Sequence, residues 1–240
     1  MSFVYDDYGS YGDYGRIPDP TASWTMEQRF SEQLRQEAEV NAFVDRNFLP
    51  RLGCCWERTT DRRQQNAGID IVLHDCSDPS QKRVTIDEKV KMSRDWQGRP
   101  YLNRLVPNIA FEVLKKGRYG YYEGWFTWSG IKTMGYALES VFASVSTPEE
   151  VREENITKVV YLYVHKSAIY KAIGLTKEEV AERARQYLKD HDRSFPEVEG
   201  AYWSHSTKWE ESPVNLVLPR TFLASLPGSR EITIRPREAA

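Results

Sequence analysis

The sequence contains no run of about 18 apolar residues, so no membrane-spanning helix is expected. Cysteine is scarce: Cys54, Cys55 and Cys76 make three. An odd count with two adjacent members yields neither a disulfide framework nor a Cys-x-x-Cys zinc pair. The four histidines, His74, His165, His191 and His205, lie without ligand spacing, which argues against a zinc site. The N-terminus shows no basic stretch followed by an apolar one, and the expectation is a cytoplasmic protein. A large charge of either sign is also missing. The net charge of -2 excludes a bulk polycation.

The 240 residues, 40% of them hydrophobic, suit a single domain with a core of its own. Residues 1–22 stand apart. Tyr5, Tyr8, Tyr11 and Tyr14 recur at every third position among Gly9, Gly12 and Gly15, and aliphatic side chains are nearly absent. With so little to bury, this segment is expected to be a disordered Tyr/Gly/Asp-rich tail. Residues 23–240 are expected to form one domain that ends in an α/β elaboration.

Charge is distributed unevenly. Between Lys82 and Arg118 lie ten Lys and Arg residues against four acids, a local surplus of six. Such a stretch on a near-neutral protein suits a phosphate-rich partner. Lys91, Arg94 and Arg104 are the candidates for nucleic-acid contact.

Thr25 and Gln28 form a capping-box pattern before a helix expected over Met26 to about Phe48, with Pro50 beyond its end. Strands are expected at 55–59, 68–73, 83–91, 109–113, 121–128, 158–164, 215–218 and 231–235. Helices are expected at 148–154, 167–173 and 177–190, the last with a second capping box, Thr176 with Glu179. This order indicates an α/β fold, a central mixed β-sheet flanked by helices. Trp125, Trp128, Tyr121 and Tyr122 occur at strand spacing and are expected to be mainly core.

The chemistry is concentrated in one hairpin. In the strand Val84–Lys91 side chains alternate, so Asp87 and Lys89 project from one face and Glu88 from the other. Asp70 lies in the short apolar run Gly68-Ile69-Asp70-Ile71-Val72-Leu73, where a carboxylate needs a partner or a metal. The turn-rich residues Asp75–Ser80 would pair the two strands and set Asp70 opposite Asp87.

A hydrophobic strand with Asp, a hairpin, and a hydrophobic strand with Asp-x-Lys resemble the PD-(D/E)XK, or restriction-endonuclease-like, nuclease superfamily. The strict match covers about 25 residues, with Gly-Ile-Asp in place of Pro-Asp before the first acid. The resemblance implies a restriction-endonuclease-like core, with Asp70, Asp87 and Lys89 catalytic. It implies Mg²⁺ (or Mn²⁺) held by Asp70, Asp87 and the Glu88 backbone carbonyl. Relatives often add an acid from the preceding helix. Glu37 is the position that fits, because it falls at the centre of the stripe through Phe30 and Phe48. Glu32 and Glu39 lie off that stripe and are expected to be solvated. Asn41 and Glu112 are candidates for a supporting role behind the ligands. The implied partner is nucleic acid, expected to be DNA, with a homodimer left open and no membrane. The competing reading is a module with this fold that binds nucleic acid or takes part in assembly without hydrolysis.

Overall fold

The computed structural model describes residues 21, 23–78, 83–92, 99–206 and 212–237. The Tyr-rich tail, apart from Thr21, lies outside the described residues, as do Lys82 and Arg94.

The first helix, α1 (Met26–Asn47), starts at the expected cap. The Thr25 hydroxyl accepts from the Gln28 N–H at 3.2 Å, and the Gln28 side chain accepts from the Thr25 N–H at 2.8 Å. Two donors that a helix start leaves unpaired are thereby satisfied. The strand β1 (Cys55–Arg58) follows, then a one-turn helix, α2 (Arg62–Asn66), capped by Asp61. The hairpin of β2 (Ile71–His74) and β3 (Val84–Val90) is antiparallel, with Ile71 opposite Ile86. The chain then leaves for β4 (Asn108–Gly117) and β5 (Gly120–Glu123) and returns as β6 (Gly135–Ala143), parallel to β3. After β7 (Ile156–His165) come α3 (Lys166–Ile173) and α4 (Lys177–Asp190). The chain closes with β8 (Tyr202–His205), β9 (Val214–Pro219), α5 (Arg220–Ser225) and β10 (Arg230–Ile234).

The strands form two sheets. The central sheet has the order β1-β2-β3-β6-β7-β10 and is mixed, since β3 and β6 run parallel and the other pairs antiparallel. The second sheet, β5-β4-β9-β8, is antiparallel throughout. The architecture is therefore α/β with a mixed central sheet and flanking helices.

Each face of the central sheet has its own core. On one, Val40, Phe43 and Val44 of α1 pack against Ile71, Ile86, Ala137, Val141 and Val159. On the other, Tyr136, Leu138, Leu162 and Val164 meet Phe111, Trp125 and Phe126, together with α3, α4 and β9. Fully burying one such side chain contributes about 1.5–3 kcal/mol. None of the described helices is long and apolar enough to cross a membrane.

Several expectations are corrected. The strand over 121–128 ends at Glu123, because the Trp128 N–H turns back to the Gly124 carbonyl at 2.8 Å. A β-carbon on Gly124 would stand 2.6 Å from the Glu112 carbonyl oxygen, so this close crossing requires glycine. The helix over 148–154 is two short 3-10 turns, Pro148–Glu150 and Glu153–Asn155. Phe30 is exposed, and the buried line of α1 runs through Gln36, Val40, Phe43, Val44 and Asn47. Glu39 is not solvated: its carboxylate accepts from the Glu153 N–H at 2.8 Å and faces Arg35. Glu32 bonds Arg35 and Gln36. Trp128 and Tyr122 are exposed rather than core. Cys55 and Cys76 form a disulfide with 4.9 Å between their Cα atoms, pinning β1 to the turn after β2.

Candidate active site

The hairpin register brings the candidate residues together. The Asp70 N–H donates to the Ile86 carbonyl at 2.9 Å, and the Asp70 carbonyl accepts from the Thr59 N–H at 2.9 Å. Asp70 is thus held between β1 and β3, one residue before β2. Its carboxylate Oδ2 accepts from the Glu88 N–H at 2.8 Å, which fixes it against the backbone of β3. Asp87 is 3% exposed and Lys89 7%, and the Lys89 ammonium is ion-paired with Asp87 Oδ1. The Lys89 Nζ also lies 4.8 Å from the centre of the Trp125 ring. An ammonium over an indole face is a favourable cation–π arrangement.

The segment from Gly124 to Met134 explains why this acid and base are buried. It carries Trp125 over Lys89, and it docks on the turn before β2 through Lys132 N–H to the Ala67 carbonyl at 3.0 Å. Gly68 has a left-handed φ of 71°. A β-carbon there would lie 3.2 Å from Ile131 Cγ2 and 3.7 Å from Asp87 Oδ2. Glycine therefore serves both the turn and the close packing beside Asp87.

Burial pushes the Asp87 carboxyl up to about 7; Lys89 opposes this, while the nearby Asp70 charge adds to it. A buried carboxylate beside a second one gains from a cation of either kind, an ammonium or a metal. Burial also raises Glu37 on α1, with Lys89 pulling it down and Asp70 pushing it up. Glu37 is half-buried and within electrostatic reach of both; its Oε1 accepts from Gln33 at 3.3 Å. Asn41, one turn later, has a buried Oδ1 with no hydrogen-bond donor.

The opposite face of β3 holds a second ionic cluster. Arg58 on β1 binds the Glu88 carboxylate and, at 2.6 Å, Asp45 on α1. Burial works against the Arg58 charge, and Asp45 and Glu88 more than offset it, holding the guanidinium charged. Glu139 on β6 is fully enclosed, and burial with the neighbouring Glu88 raises it well above the ordinary carboxylate range. Neither Glu139 oxygen nor Glu88 Oε1 meets a donor. A proton on Glu139, donated to Glu88, would satisfy Glu88 Oε1 and one of the two Glu139 oxygens. The Glu88 side chain thus belongs to this cluster, and only its backbone faces Asp70.

The remaining candidates fall elsewhere. Lys91 is buried with its ammonium 4.2 Å from the centre of the Tyr101 ring. The expectation that it stands out to meet phosphate is corrected: the aromatic ring covers it. Arg104 is half-buried, 4.3 Å from the same ring, and donates to the Pro100 and Arg99 carbonyls at 2.9 and 3.0 Å. Glu112 is buried on β4, in the second sheet rather than beside Asp70. Its carbonyl accepts from the Phe126 N–H at 2.9 Å, so it supports the segment that carries Trp125.

Sequence reasoning did not single out Tyr136, Lys166 or Glu139. Tyr136 lies opposite Asp87 in the parallel register, and its hydroxyl, like Trp125 Nε1, is buried without a partner. Lys166 opens α3 on the same side; burial lowers it to about 8, while Asp87 opposes the shift. Glu139 carried a usable signal, a charge inside an apolar run, the same signal that marked Asp70.

Among the described residues no three His, Cys, Asp or Glu side chains already converge on a metal-holding point. Donor chemistry nevertheless suits a hard cation. Two carboxylates from neighbouring strands face each other, and a buried amide oxygen without a donor lies on the adjoining helix. Comparison with protein-family models, curated proteins and solved structures found no match.

Proposed function

We propose that the chain is a metal-dependent nuclease of the PD-(D/E)XK type that hydrolyses phosphodiester bonds in DNA. The observation that carries this reading is the convergence of Asp70, Asp87 and Lys89. Asp70 is anchored on the Glu88 N–H, between an Asp and a Lys that share the other face of β3. On this reading the hairpin and parallel β6 make a restriction-endonuclease-like core.

Asp70 and Asp87 would hold Mg²⁺ or Mn²⁺, joined by the Glu88 carbonyl and by Glu37 from α1. Asn41 offers a further oxygen. The cation supplies Lewis-acid stabilisation of the charge that builds on the phosphate. The residues themselves do the rest. With Asp87 holding that cation, the Lys89 ammonium would be released from its ion pair. Lys89 then orients the attacking water and stabilises developing negative charge. Trp125 keeps bulk water from the lysine. As the water oxygen adds to phosphorus it gives up a proton, the ester P–O bond breaks and the leaving oxygen takes up a proton, so that the elements of one water are added across the broken bond. Lys166 is placed on the side where such a proton or a phosphate oxygen could be met.

The test pairs two variants on plasmid and single-stranded DNA, with Mg²⁺, Mn²⁺ or EDTA. Lys89→Ala should keep metal binding, because an ammonium is no ligand, yet lose roughly 10²–10³ in cleavage rate. Asp87→Asn should lose both. Wild type that cleaves in Mg²⁺ or Mn²⁺ no faster than Lys89→Ala would remove the case for this site.

A second reading has one observation in its favour. Asp87 and Lys89 are nearly sealed from solvent and satisfy each other. A nucleic-acid-binding or assembly module that keeps the fold without hydrolysis would show this closed pair and no metal response.

A further inference from the structure

The local positive surplus of the sequence divides in space. Lys89 and Lys91 are interior, and Arg104 is tied to backbone carbonyls. Among the described residues the exposed remainder is Arg83, Arg99, Lys116 and Arg118, and of these Lys116 and Arg118 lie together at the β4–β5 hairpin. Its two-residue loop is Arg118–Tyr119, closed by the Gly117–Gly120 pair. Lys116, Arg118, Tyr119 and Tyr122 are all exposed. Tyr119 is 93% exposed, the most of any large hydrophobic side chain described, and Tyr122 is 46% exposed.

Such exposure of aromatic rings needs a reason. Tyr122 is not loose. A β-carbon on Gly117 would lie 2.5 Å from Tyr122 Cε1, so the ring lies across the bare glycine, with the Lys115 ammonium 5.3 Å from its centre. The Arg118 guanidinium stands 5.4 Å from the Tyr119 ring centre. Among the described residues, no carboxylate pairs with Lys116 or Arg118. Rings held at a tip beside free cations offer π-faces and phosphate contacts together. That is the pairing by which proteins hold single-stranded nucleic acid. A protein partner of ordinary charge would meet two unpaired cations; a polyanion with unstacked bases meets both features.

We infer that the β4–β5 hairpin is a contact surface for single-stranded nucleic acid, with Tyr119 and Tyr122 stacking on bases and Lys116 and Arg118 meeting phosphates. This deepens the proposed nuclease reading, because it names the form of the substrate beside the site. Tyr119 stands roughly 13 Å beyond Glu123, four residues at ~3.3 Å each, and Glu123 is two residues before Trp125. A strand crossing Trp125 would reach the tip within a few nucleotides.

The test uses the full chain in EDTA, so that binding is read without hydrolysis. Fluorescence anisotropy with a labelled 20-nucleotide single strand is compared with the same sequence as duplex. Tyr119→Ala and Tyr122→Ala should each weaken single-strand binding on the order of tenfold. Tyr119→Phe should bind as wild type does, because stacking needs the ring and not the hydroxyl. Gly117→Ala, which displaces the Tyr122 ring, should follow Tyr122→Ala. Lys116→Ala and Arg118→Ala should each reduce the salt slope by about 0.7. Circular dichroism checks that each variant is folded. Wild-type single-strand affinity in both Tyr→Ala variants would overturn the inference, as would equal losses on duplex and single strand. Wild type that binds through the tip but never cleaves defeats the nuclease reading alone. Wild type that cleaves while tip variants bind unchanged defeats this inference alone.

Discussion

The two faces of β3 bury charge in different ways. Toward Trp125, Asp87 and Lys89 meet each other beside a half-exposed Asp70 that is held by one backbone N–H. Toward α1, Arg58 is shared between Glu88 and Asp45 beside Glu139, whose neutral form burial and the Glu88 charge favour, with a helix closing the cluster. The first arrangement leaves like charges partly uncompensated. The second is closed upon itself, its guanidinium spread across three elements. Alternation along one strand therefore puts the Asp87–Lys89 pair and the Glu88 cluster on opposite faces at neighbouring residues.

Breaking the structural face should give the largest effect. Arg58→Met strips the counter-charge from Glu88 and Asp45 while keeping much of the side-chain volume. Loss of one partner from a buried pair costs on the order of 3 kcal/mol, to be read as a lower urea midpoint at unchanged slope. Divalent cation should not restore it. If Arg58→Met is as stable as wild type, the α1-side cluster is not what holds β1, β3 and α1 together.

A smaller effect should distinguish the faces by pH. Asp87 is raised from its ordinary 3.8 to about 7 by burial. A carboxyl raised on folding stabilises the fold fully below its unfolded pKa, and that contribution is lost as pH climbs through the folded value. In EDTA, wild-type stability should therefore fall between pH about 4 and about 7, and Asp87→Asn should fall less. Mg²⁺ or Mn²⁺ should flatten the wild-type curve and leave the Asp87→Asn curve unchanged. Glu139→Gln, on the sealed face, should flatten the curve without altering the metal response. A metal response that survives Asp87→Asn would place the cation elsewhere.

The smallest effect is expected at Glu37. Burial already favours its neutral form, so Glu37→Gln should change the unfolding midpoint little while weakening cation affinity, as isothermal titration would measure. Destabilisation without any change in affinity would assign Glu37 to packing.

How much was legible beforehand differs between these regions. Asp70, Asp87 and Lys89 were visible because strand alternation and a turn-rich linker act over neighbouring residues. The capping boxes of α1 and α4 were visible for the same reason. The α1-side cluster was not, since Arg58 reaches Glu88 only across β2, and Glu139 reaches it only through the parallel β3–β6 register. β6 itself was missed: it is buried on both faces and so shows no alternation. The disulfide escaped because Cys55 and Cys76 are brought together only by the antiparallel β1–β2 pairing. Lys91 was misplaced because alternation gives a face and not what covers it. The Tyr119 tip was hidden by the same limit in reverse.

The route of the chain has a further consequence, for folding kinetics and for fragments. Between β3 and its parallel neighbour β6 the chain lays down β4 and β5 of the other sheet, and between β7 and β10 it lays down β8 and β9. The central sheet is not complete until its last strand, β10, emerges, and a cut anywhere between β1 and β10 divides it. Such long-range pairing implies high contact order and slow folding. A shortened chain ending near residue 130 would keep Asp70, Asp87 and Lys89 and still lack β6, the strand on which β3 rests. The three residues are near in sequence, but their arrangement depends on nearly the whole polypeptide.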